Sequence, residues 1–164
     1  SKCSFLTTIM QKNMLPKYFL ILITCCSWMA NLHAQDKTKQ AFFQVEGVAI
    51  DGYDVVAYFT EDQAQKGIDQ YQVSYGGVRW LFNSQAHVDS FAANPQAYLP
   101  AYGGYCAYGM AFHGRYEVSG EVWEIVEGKL YLFHPAEYVF RKWTKNRANL
   151  QARADKFWQK KSNP

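Results

Sequence analysis

Beyond residue 26 the chain has a single cysteine. Four occur in 164 residues, but Cys3, Cys25 and Cys26 stand near the start and leave Cys106 alone in the body. A disulfide within the body is thereby excluded. The signatures of familiar chemistry are also missing: no Ser-His-Asp order, no phosphate-cradling glycine loop, no zinc-protease motif and no paired thiols. Internal repeats and low-complexity segments are absent. The one strongly apolar run, "YFLILITCCSWM" from Tyr18 to Met29, is shorter than the ~20 residues that a membrane-spanning helix needs.

That run has a different use. It follows the short basic stretch Met14-Leu-Pro-Lys and precedes "ANLHAQ", the layout of a secretory signal peptide. Cleavage is expected after Ala34, with residues 1–34 comprising the leader and whatever lies upstream of its start at Met14 or Met10. A lipidated Cys25 and an uncut membrane anchor are the alternatives. The expectation is an exported protein, periplasmic or secreted, with no stable membrane span once the leader is gone.

Charge divides along the chain. The 17 Lys and Arg exceed the 14 Asp and Glu, yet Lys2, Lys12 and Lys17 fall in the leader, so the remainder is balanced at 14 of each. From Arg141 onward there are eight basic residues against Asp155, whereas residues 35–140 carry six basic and thirteen acidic. An acidic body with a basic tail argues against nucleic-acid binding. A body of this length suits one domain with a real core.

Periodicity then predicts the elements. Residues 35–44 read as a flexible lead-in and 45–164 as the domain. "YQVSYGGVRWLF" alternates on both sides of Gly76-Gly77 and predicts a β-hairpin. "VWEIVEGKLYLF" predicts a second one, turning at Glu127-Gly128. Asp54 is expected to cap a short helix, Ser84 to cap a helix over "QAHVDSFAAN", and Pro95 to open another short one. Val139, Trp143, Leu150, Ala154, Phe157 and Trp158 form an apolar stripe that predicts one long amphipathic helix over 135–161. Trp80 and Trp143 each need an apolar partner, so the first hairpin is expected to face that helix. Two hairpins among helices, without βαβ alternation, make the fold class α+β.

Three stretches, "GYDVVAYF", "WLFNSQAHVDSFAANPQAYLPAYGGYCAYG" and "WEIVEGKLYL", resemble the exported branch of the YHS-domain family across about residues 45–158. The resemblance implies a link with heavy-metal handling, copper above all. Metal-associated relatives carry Phe-Cys-Ser-x-x-Cys where this chain reads "FNSQAH", which puts Asn83 and His87 at the two cysteine positions.

The candidate site follows from both lines. A thiolate and an imidazole suit copper first, with zinc as the alternative. Cys106 in "YGGYCA" and His87 are the expected ligands, with Met110 and His113 as possible additional ones, four and seven residues beyond Cys106. Gly103-Gly104 would let the backbone aim the thiol. Tyr53, Asp54, Tyr102, Gly103, Gly104 and Tyr105 are expected to line a pocket, with Tyr58 and Tyr108 as further aromatic candidates. His134, just before Pro135, is expected to cap the last helix. The sequence leaves three functions open: metal sequestration or delivery through Cys106 and His87, a thiol-dependent redox enzyme using Cys106, and a small-molecule binding module with an aromatic pocket.

Overall fold

In the computed structural model, residues 42–162 are described; they belong to one of the two units into which the chain divides, 38–164. The signal-peptide reading and the first part of the lead-in lie outside the described residues. The chain runs β1 (Gln44–Val45), β2 (Val48–Ala49), α1 (Ala57–Thr60), β3 (Ile68–Tyr75), β4 (Val78–Phe82) and α2 (Gln85–Ala93). It continues with α3 (Ala107–Met110), β5 (Ser119–Val126), β6 (Lys129–Phe133), α4 (Glu137–Lys145) and α5 (Arg147–Ser162). Single 3-10 turns occupy Ile50–Gly52, Pro95–Ala97 and Ala101–Gly104. The class is α+β.

Both predicted hairpins form. β3 pairs antiparallel with β4 across Gly76 and Gly77, whose φ values of 60° and 81° are the left-handed pair a two-residue turn requires. β5 pairs with β6 across Glu127-Gly128. The first hairpin joins a four-stranded sheet of order β1-β2-β4-β3, in which β2 runs parallel to β4; the second stands as a separate two-stranded sheet. Among the described residues, no helix is long and apolar enough to cross a membrane.

The core is divided in two, and β6 is the partition. Its Leu130 and Leu132 face one cluster, with Trp80, Phe82, Phe91, Tyr58 and Val55. Its Tyr131 and Phe133 face another, with Cys106, Met110, Val139, Trp143, Leu150 and Ala154. A strand sends alternate side chains to opposite faces, so a strand buried on both faces reads as the unbroken apolar run "LYLF". β5 does the same less completely, Trp123 and Ile125 packing on the first cluster and Val122 and Val126 on the second.

Three expectations are corrected. The lead-in does not extend to residue 44: Phe42 is buried, its ring centroid 5.1 Å from that of Trp80, and Gln44 is already in β1. A large aromatic beside a hairpin with a tryptophan core binds rather than floats. The 135–161 helix is two helices, broken at Asn146, where φ −142° and ψ 38° leave the helical region. The first hairpin does not face these helices. Trp143 is fully buried against Tyr131 and Phe133 of β6, at 5.7 and 5.4 Å between centroids, while Trp80 packs on Phe91 at 5.4 Å in the other cluster. Each tryptophan found its apolar surface on its own side of the partition.

Candidate functional site

Asp54 and His87 lie together. Asp54 is fully buried and its carboxylate accepts four hydrogen bonds. Oδ1 takes the backbone N–H groups of Val56 (2.8 Å) and Ala57 (3.3 Å), which is the expected cap of α1. Oδ2 takes the N–H of Asn83 (2.8 Å) and stands 2.7 Å from His87 Nδ1. The other ring nitrogen of His87, Nε2, lies 3.3 Å from Glu61 Oε1 and 3.4 Å from Thr60 Oγ1. Both nitrogens therefore face oxygen. His87 sits there because Ser84 Oγ accepts its backbone N–H at 3.3 Å and starts α2 as the sequence predicts. Asn83 bonds Gln65 Oε1 through its side chain at 2.8 Å. Asn83 and His87 here tie the start of α2 to the start of α1.

Cys106 lies elsewhere. It occupies the residue before α3, where its N–H donates to Tyr116 O (3.1 Å) and its Sγ accepts the backbone N–H of His134 (3.4 Å). The thiol is 1% exposed and forms part of the wall of an open cavity of about 480 Å3. The other walls are Tyr108, Gly109, Phe112 and Tyr116 from the 107–116 segment, and His134, Tyr138 and Val139 from the segment leading into α4. His87 is not one of them, and no hydrogen bond or ion pair joins it to Cys106 among the described residues. The structure does not bring the two expected metal ligands into one site. The reason is the partition: His87 lies on α2, whose Val88 and Phe91 pack in the first cluster, and Cys106 belongs to the second.

Met110 and His113 separate from each other as well. Met110 is buried one helical turn beyond Cys106, its N–H donating to Cys106 O at 2.9 Å. His113 lies past the end of α3, at φ 66°, with its ring 4.8 Å from that of Phe157. The helical turn that would place both on one face stops at Met110. His134 does hold the entry to the last helices, its Nδ1 accepting the Ala136 N–H at 3.1 Å. No group of three or more His, Cys, Asp or Glu is placed to hold a metal ion among the described residues.

None of Tyr53, Asp54, Tyr102, Gly103, Gly104 and Tyr105 lines the Cys106 cavity. Tyr53 covers Gly120 and takes Lys66 over its ring at 4.0 Å. Tyr102 is buried and donates to Asp155 Oδ1 at 2.9 Å. Burial first, and the bond to Asp155 second, push its phenol far above the ordinary tyrosine value. Gly103 and Gly104, at φ 64° and 87°, carry the turn, and Gly103 O accepts the N–H of Phe43 at 2.9 Å. They bring the first strand close and do not aim the thiol. Tyr105 packs on Phe43 at 5.8 Å.

Of the expected aromatics only Tyr108 lines the cavity. Phe112, Tyr116 and Tyr138 were missed; they are 49%, 55% and 50% exposed, the largest exposed aromatics among the described residues. One signal was present in the sequence. Gly109 and Gly114 bracket the segment because Tyr116 lies across both: a Cβ at either would come within 2.3 or 2.1 Å of its ring. Comparison with known proteins found no matching protein family, no matching curated protein and no matching solved structure.

Proposed function

We propose that this is an exported YHS-like domain that binds a small molecule in the Cys106 cavity and releases it without turnover. The observation that carries the reading is the cavity itself. Its volume of about 480 Å3 falls in the range of small-ligand sites, and its walls combine four aromatic rings with one buried thiol and one imidazole. Export rests on the leader pattern around Tyr18–Met29, and family membership on the three stretches quoted above.

The test uses Cys106 as its own reporter. The folded chain is treated with N-phenylmaleimide and N-ethylmaleimide, and the ratio of their rates is compared with the ratio in denaturant. A cavity that admits aromatic molecules raises the phenyl-to-ethyl ratio by about tenfold on folding, equivalent to about 1.4 kcal/mol of preferential binding. An unchanged ratio, or a thiol that reacts only after global unfolding, overturns the proposal.

Copper is the second reading, favoured by the burial of Met110 one turn beyond Cys106 in the same cluster, since two sulfur-bearing side chains suit a soft ion such as Cu(I). Zinc would need ligands beyond these two.

A further inference from the structure

We propose that the ligand of the Cys106 cavity is an aromatic anion, a reading that rests on the binding function above and specifies its chemistry. Two cations lie over rings that line the cavity, without lining it themselves. The Arg153 guanidinium lies 4.7 Å from the centroid of Phe112, and the Lys142 ammonium 5.4 Å from that of Tyr138. Neither has a carboxylate partner among the described residues, as is true of most cations there; what distinguishes them is that the rings they lie over, Phe112 and Tyr138, line the cavity. The nearby acid Glu137 pairs with Arg141 at 3.3 Å on the surface. Two unneutralised cations beside an apolar wall leave a local excess of positive potential.

The phenols add donors of the right kind. The buried tyrosines Tyr58, Tyr102 and Tyr131 each have a hydrogen-bond partner in the protein, at 2.7, 2.9 and 3.0 Å. Tyr108, Tyr116 and Tyr138 have none among the described residues, so three residues of the cavity wall keep a phenol available to donate to a ligand oxygen. The wall is preformed. Tyr116 is held by its seat across Gly109 and Gly114 and by the bond from Cys106 N–H to its carbonyl, and Tyr108 packs on Phe112 at 5.0 Å. Flat rings favour a flat partner, and cations with phenol donors favour its negative charge.

The experiment is a fluorescence titration of the folded chain with the anionic dye 8-anilinonaphthalene-1-sulfonate and its neutral counterpart N-phenyl-1-naphthylamine. The sulfonate is expected to bind about tenfold more tightly. The double variant Lys142→Gln/Arg153→Gln loses that advantage, while Phe112→Ala weakens both dyes; circular dichroism establishes that each variant is folded. Equal affinities in the parent, or an advantage that survives the double substitution, overturns the proposal. Binding of the neutral dye alone overturns the anionic preference and keeps the binding module. Failure of both dyes, together with an unchanged maleimide ratio, removes both. If the double variant keeps its dye affinity but no longer sediments with phosphatidylglycerol vesicles, the cations serve a membrane surface and the proposal falls.

Discussion

The two sides of the β5–β6 hairpin share a wall and differ in how their polar groups are treated. On the first side every polar group at the centre is consumed. Asp54 spends both oxygens on four donors, His87 both nitrogens on oxygen, and Asn83 its amide on Gln65. On the second side a buried thiol lines a cavity, three phenols lack partners among the described residues, and two cations lie on exposed rings. The closed network ties α1 to α2; a set of open donors beside a concavity can meet something else. The lesson is that burial of a histidine or cysteine says little about function until its remaining hydrogen-bonding capacity is counted.

The comparison can be broken in order of expected effect. Trp143→Ala should cost about 3–5 kcal/mol, because a fully buried indole that packs on Tyr131 and Phe133 is removed. Its N–H also bonds Glu124, which Arg147 grips at 3.0 and 2.6 Å, so the start of α5 loosens with it. Denaturant titration measures the loss. The cost belongs to the second side, so Cys106 labelling should quicken in the fraction that remains folded.

Asp54→Asn should cost about 2–3 kcal/mol, since an amide nitrogen then meets donors where a carboxylate oxygen accepted them. Here the sides should separate: stability falls while the maleimide ratio at Cys106 stays at its parent value. A changed ratio would mean that the two sides communicate through the hairpin.

Smaller again is the alkaline response. Desolvation, the largest cause, raises the phenols of Tyr58 on the first side and Tyr102 on the second far above 10.0. A folded value above the unfolded one means that the stabilisation is complete below pH 10 and declines as pH rises beyond it, because the unfolded chain ionises first. Unfolding free energies at pH 9 and pH 11 should therefore differ, and Tyr102→Phe should reduce that difference by about 1 kcal/mol while leaving the Tyr58 contribution. An unchanged pH dependence would place the ionisable group elsewhere.

The smallest expected effect is none. His87→Ala should leave Cu(I) affinity within about twofold of the parent, and Cys106→Ser should remove it, if the soft-ion reading holds. Competitive titration against a Cu(I) chelator reads both. A large loss with His87→Ala would rejoin the two sites that the fold keeps apart.

Local chemistry determined what the sequence could express locally. The Gly76-Gly77 and Glu127-Gly128 hairpins, the Ser84 cap and the Asp54 cap all depend on residues within a few positions of each other, and all four appear as read. Where the reading failed, the deciding partner was far away in the chain. The break at Asn146 accompanies an ion pair from Arg147 to Glu124, and the burial of Phe42 depends on Trp80. The pairing of His87 with Asp54 rather than Cys106 spans 33 residues. Spacing carries no distance between such residues, because β6 can send Leu132 to one core and its neighbour Phe133 to the other. Composition and periodicity therefore determined the elements and their turns; only packing decided which side of the partition each reactive group would occupy, since alternate side chains of one strand share a sequence but not a surface.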